Sequence, residues 1–201
     1  MSDFGAMVDA STVEDAAETL LRAWETTYLA AVERQNGLDP QSLPRVETWA
    51  TDQTFDWQAA DYLPAVYIIA GDLTPTERHR TGYVGTCDLS VAVVCEGQDE
   101  RDARRVSKRI CTALRSALLG HQGFVEGRST DVDWTGDEHA TLSDADASLL
   151  LGTTEATFTV QLSLGSYVKG PSAPPEAPYE QPADDPTIAE THLNITQEAS
   201  S

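Results

Sequence analysis

Apolar positions recur along this chain in two different periods, and the switches between them mark out its elements. From Ser11 onward, Val13, Ala17, Leu20, Leu21, Trp24, Tyr28 and Val32 share one face at helical spacing. Ser11-Thr12-Val13-Glu14 has the pattern of a capping box, so a first helix is expected to open there. Gly37 and Asp39-Pro40 are expected to close it. The stretch from Leu43 to Trp57 is ambiguous, with a short strand around Arg45–Trp49. Pro64–Ala70 reads as a strand whose proline is tolerable only at its start or at a sheet edge. Gly71-Asp72 breaks it, and a polar loop holding Pro75, Arg78, His79 and Arg80 follows. Gly82–Cys95 is then a long strand, with Leu89, Val91, Val93 and Cys95 on one side and Ser90, Ala92 and Val94 on the other. With both sides that apolar, it is expected to be central in the sheet and covered on each face.

A second helix runs from Gln98 to Leu119. Ala103, Val106, Ile110, Ala113, Leu114, Ala117 and Leu118 fall within one narrow sector of it. Arg101, Arg104, Arg105, Lys108 and Arg115 occupy the opposite face, with Arg109 on the shoulder. Gly120 ends the helix. A loop rich in Gly and Asp comes next, with a short strand near Thr130–Trp134. Ala156, Phe158, Val160, Leu162 and Leu164 then alternate with Thr157, Thr159, Gln161 and Ser163, the signature of a half-buried antiparallel strand. The fold class is α+β: a small mixed or antiparallel sheet flanked by two amphipathic helices. Residues 1–10 read as a flexible N-terminus, 11–168 as the domain, and 169–201 as a Pro-rich acidic arm, disordered or draped on a neighbour.

Charge changes the picture most. Thirty-three Asp+Glu stand against 13 Lys+Arg, for a net charge of -20, and the only lysines are Lys108 and Lys169. Most of this surface repels phosphate, which argues against free nucleic acid as its partner. An acidic, Lys-poor coat suits a salt-rich environment. It also suits a wall past which another polyanion slides without sticking. The cationic stripe of the second helix therefore stands out, and it admits three readings. It is a solvated face with intrahelical Asp/Glu–Arg pairing, a contact with the acidic surface of a neighbouring subunit, or a nucleic-acid contact. In the second case the interface residues are Arg101, Arg104, Arg105, Lys108 and Arg109, since the planar guanidinium pairs carboxylates two bonds at a time.

Little in the chain carries chemistry. Asp131-Val132-Asp133-Trp134-Thr135-Gly136 matches the start of a calcium loop, making Asp131 and Asp133 weak metal candidates. The twelfth position, however, is Leu142 where a bidentate Glu is needed. Cys87, Cys95 and Cys111 read as buried apolar side chains with no disulfide. His121, just past a helix C-terminus, reads as a favourable end charge. A Cys111–His121 nucleophile pair is disfavoured because the cysteine lies beside a buried face. No phosphate loop, nucleophile elbow or dinucleotide fingerprint occurs. The sequence therefore calls for no catalytic residue, no cofactor and no small-molecule substrate. No apolar run is long enough to cross a bilayer. Asn194-Ile195-Thr196 matches a glycosylation sequon by chance.

The strand PAVYIIAGD, the long strand GYVGTCDLSVAVVCEG, the helix DERDARRVSKRICTALRSALL and the closing strand TEATFTVQLSLGSY occur in an order that resembles the tail terminator (tail completion) proteins of long-tailed phages and archaeal tailed viruses. The resemblance covers roughly residues 11–168 and is one of pattern, without a diagnostic signature. It implies a non-enzymatic virion protein, assembled in the host cytoplasm and placed at the head–tail junction. Such a protein forms a homo-hexameric ring that caps the tail tube and meets the tail tube protein and the head-completion or connector protein. Genomic DNA passes through the ring without specific binding. The Pro-rich arm and the acidic 125–147 segment depart from a minimal member. Another head–tail junction protein, a stopper or adaptor, is the nearest alternative. A halophilic α+β enzyme or ligand-binding domain, or an interaction domain with a nucleic-acid-mimicking arm, is a further one.

Overall fold

The computed structural model describes residues 8–51, 62–79, 82–125, 129–143 and 150–166, all within one compact unit spanning Phe4–Tyr167. The C-terminal arm, the sequon and most of the N-terminal segment lie outside the described residues. The order is α1 (Ala10–Gln35), β1 (Thr48–Ala50), β2 (Ala65–Ala70), β3 (Thr74–His79), β4 (Gly82–Gly97), α2 (Glu100–Gly120), β5 (Ser129–Ser143) and β6 (Leu150–Ser166). The six strands form one sheet in the order β1-β2-β4-β6-β5, with β3 also paired to β4. β1 runs parallel to β2 and every other pairing is antiparallel. This is the mixed α+β architecture that the sequence predicts.

Both helices pack on the same face of the sheet. Val66, Ile68, Cys87, Leu89, Val91, Val93, Ala156, Phe158, Val160 and Leu162 meet Val13, Leu21, Leu29, Ile110, Leu114 and Leu118 in the main core. Among the described residues, the opposite face holds only a small cluster, Ala65, Tyr67, Val94 and Leu151, at one end. The expectation that β4 is covered on both sides is therefore corrected. Ala92 and Ser90 are half-buried and Asp88 is exposed, because among the described residues no helix lies over them.

Other sequence expectations are corrected as well. α1 opens one residue before the predicted capping box. Asp9 is its cap, accepting from the Thr12 N–H at 2.8 Å and from both the Ser11 and Thr12 hydroxyls. Those bonds favour the charged form and lower the Asp9 carboxyl to about 2. The predicted end is correct: Gly37 adopts φ +62°, and the N–H groups of Gly37 and Leu38 reach the carbonyls of Arg34 and Glu33, the Schellman arrangement. The polar loop around Pro75 and Arg78 is instead β3, paired to the first part of β4. The short strand near Thr130–Trp134 is the first part of a 15-residue strand, Ser129–Ser143.

The buried face of α1 is also turned from the prediction. Trp24 is 39% exposed, while Leu29 is fully buried. Along the apolar stripe lie two carboxylates, Glu25 and Glu33, both buried. Glu25 accepts the Val46 N–H at 2.7 Å, and Glu33 accepts those of Leu43 and Gln41 at 2.9 and 3.0 Å. Glu14 accepts the Ala70 N–H at 2.8 Å. These side chains satisfy backbone donors of a loop and of a strand end that have no ladder partner there. The hydrogen bond from Leu43 holds the Glu33 carboxyl below its usual range.

Candidate assembly surface

α2 is held against the sheet by close backbone approach. A Cβ added at Gly97 or at Gly152 would overlap the backbone at Ala103. These two glycines lie on β4 and β6, which are neighbours, so the first turn of α2 can sit directly on the sheet. Asp99 caps the helix, accepting the Asp102 N–H at 2.7 Å. Ser107 and Thr154 join hydroxyls at 2.9 Å beneath it. The helix is thus fixed in rotation as well as position, and its polar face is fixed with it.

On that face Arg101, Arg104 and Arg105 are exposed, and Lys108 and Arg109 are half-buried. Among the described residues, none of these five side chains makes an ion pair or a hydrogen bond. Intrahelical Asp/Glu–Arg pairing is thus not what the stripe does within the described chain. Arg115, grouped with the stripe by spacing, is used differently. Its guanidinium pairs with Asp137 and lies 4.2 Å from the Trp134 ring centre, while the Trp134 indole N–H donates to Asp137 at 3.0 Å. A β-bulge between Trp134 and Gly136 makes this possible. The extra residue shifts the alternation so that Trp134 and Asp137 both face α2. His139 follows on the same side. Burial, and then the positive charge of Lys108 with Arg104 further along, lowers its pKa.

The sheet face turned away from the helices has the opposite character. The register brings Asp88, Thr159 and Asp133 side by side, then Ala92, Glu155 and Glu138, and beyond them Thr86, Gln161 and Asp131. Asp88, Asp133 and Glu138 are exposed, and Asp131 and Glu155 are half-buried. β4, β5 and β6 contain no Lys or Arg. The molecule therefore carries a cationic helix face and, across the sheet from it, an acidic threonine-lined face.

No protein-family model matches this chain, and no curated protein does. Among solved structures, a chain from "Virion of native gene transfer agent (GTA) particle" is similar, at 14% identity and a TM-score of 0.44, over 77% of this chain and 95% of that one.

The remaining sequence candidates take ordinary places. Asp131 and Asp133 stand on extended strand β5 rather than in a calcium loop, and Asp131 accepts the neighbouring Val132 N–H at 2.9 Å. Among the described residues no group of three or more His, Cys, Asp or Glu could hold a metal. Cys87, Cys95 and Cys111 are buried and unpaired. Desolvation pushes the Cys111 thiol up to about 12, so at neutral pH it stays protonated and lacks the nucleophilic form. The His121 ring contacts the Ala117 carbonyl at 2.9 Å and stacks on Trp24, with ring centres 4.3 Å apart. No described helix is long and apolar enough to cross a membrane. Sequence reasoning found the five cations of α2 but missed the acidic sheet face. Only cross-strand register assembles it, although the absence of Lys and Arg from all three strands was a visible signal.

Proposed function

We propose that this chain is a virion structural protein that closes into a ring at the head–tail junction, capping the tail tube and joining it to the connector. The reading rests on the order of elements that resembles the tail terminators. One observation carries it further: five cations on a rigidly seated helix have no described carboxylate partner, in a chain of net charge -20. Ring closure needs a heterologous contact, one subunit's surface against a different surface of the next. A patch whose sign opposes the rest of the molecule suits such a contact. An acidic wall elsewhere suits a channel through which DNA passes without adhering. The protein's work would then be mechanical, with no reaction to catalyse.

Light scattering together with negative-stain imaging of the full chain tests the reading. It expects open-centred rings of about six subunits, built from one repeated heterologous contact. A compact monomer at every concentration and salt would overturn self-closure.

A further inference from the structure

We propose that the cationic face of α2 docks on the acidic sheet face of a second copy of this chain. Each subunit would then offer its helix to one neighbour and its sheet to the other. The inference rests on the self-assembling reading above and names the surface that receives the helix.

Geometry supports it on three counts. First, the two faces cannot meet within one chain, because α2 packs on the other side of the same strands. Among the described residues, the two charged faces can therefore meet only between molecules. Second, their dimensions agree. Arg101 to Arg109 spans about 12 Å of helix at 1.5 Å per residue, and the rows led by Thr159 and Glu155 lie about 13 Å apart at 3.3 Å per residue. Third, Glu138 stands directly opposite Glu155, a like-charged cross-strand pair that is destabilising unless cations approach from outside. Thr157 lies between the two acidic rows. Thr157 and Thr159 are already tied to neighbouring strands through Gly136 and Asp88, so little further ordering is needed on docking.

Two charge-reversed full-length variants test the pairing: R101E/R104E/R105E on the helix, and D88R/D133R/E138R on the sheet. Each alone is expected to weaken self-association by about a hundredfold or more, since like charges then oppose each other across the contact. An equimolar mixture, or one chain carrying both sets, is expected to regain the native mass, because the signs match again. Circular dichroism checks folding. Should the sheet reversal unfold, the milder D133N/E138Q must still raise the dissociation constant measurably.

A sheet variant that forms native rings would overturn the docking while leaving the ring reading intact. Failure of the native chain to form any ring would overturn both. Loss of binding to a fluorescent DNA duplex in the helix variant, with its assembly unchanged, would make the stripe a nucleic-acid contact and would also overturn the pairing.

Discussion

The two helices lie on the same face of one sheet, yet they use their charged residues in opposite ways. α1 turns Glu14, Glu25 and Glu33 toward the chain, where each accepts backbone N–H groups from outside the helix: Glu33 from the loop just beyond it, Glu25 from Val46 and Glu14 from Ala70. α2 turns its cations outward and leaves five of them without a described partner. Charge on α1 is part of folding, because removing a carboxylate strands a buried donor. The charge of Arg101, Arg104 and Arg105 on α2 is dispensable to folding, since these exposed cations contribute little to stability. That contrast is why the proposed contact is placed on α2 rather than on α1.

The largest expected effect comes from disturbing how α2 is seated. Gly152→Val should destabilise the fold by about 3 kcal/mol, at the upper end of core overpacking, because the new side chain meets the backbone at Ala103. A thermal melt or urea titration checks this, and a variant as stable as the native chain would show that α2 is not held there.

The next effect separates the helices by pH. The Glu33 carboxyl is lowered from 4.5 by the Leu43 N–H, so its contribution to stability is complete above pH 4.5 and fades as pH falls through the folded-state value. Glu33→Gln removes a proton-linked group. Native stability should therefore exceed the variant's near neutrality, and the gap should narrow below pH 4.5. Urea unfolding across that range measures it; a gap that is constant with pH would mean that the carboxylate's charge is irrelevant.

The smallest effect belongs to α2. R101E/R104E/R105E should change monomer stability by no more than about 0.5 kcal/mol, the range of surface substitutions away from structural features. A large loss in urea unfolding would place those arginines among the folding determinants and dissolve the contrast.

Several elements are legible in the sequence because burial there follows a single period. α2, read from Gln98 to Leu119, is observed at Glu100–Gly120, and the inward sides of β4 and β6 read correctly. Where the period carries no information about pairing, the reading falls short. β3, with the sequence TPTERH, is a polar strand whose only structural signal is its register with β4. β5 is interrupted by the bulge at Trp134–Gly136, so a reading in strict alternation stops there. α1 misleads for a different reason. Its stripe contains two glutamates that look solvent-facing by type but are buried by backbone donors elsewhere, and the apolar face is drawn toward Trp24 in compensation. Of the candidate surface, the helix half is visible in one stretch of sequence. The sheet half exists only once three separated strands lie side by side.

The three cysteines have a practical consequence. Cys87 and Cys95 sit on the helix-facing side of the sheet and Cys111 on the buried side of α2, and burial holds their thiols at about 11, 12 and 12. Even the most acidic of them is ionised in roughly one molecule in ten thousand at neutral pH. The native chain is therefore nearly inert toward maleimides and mild oxidants while folded. A cysteine introduced on either charged face would be a lone chemical handle, open to labelling or cross-linking without first removing the others.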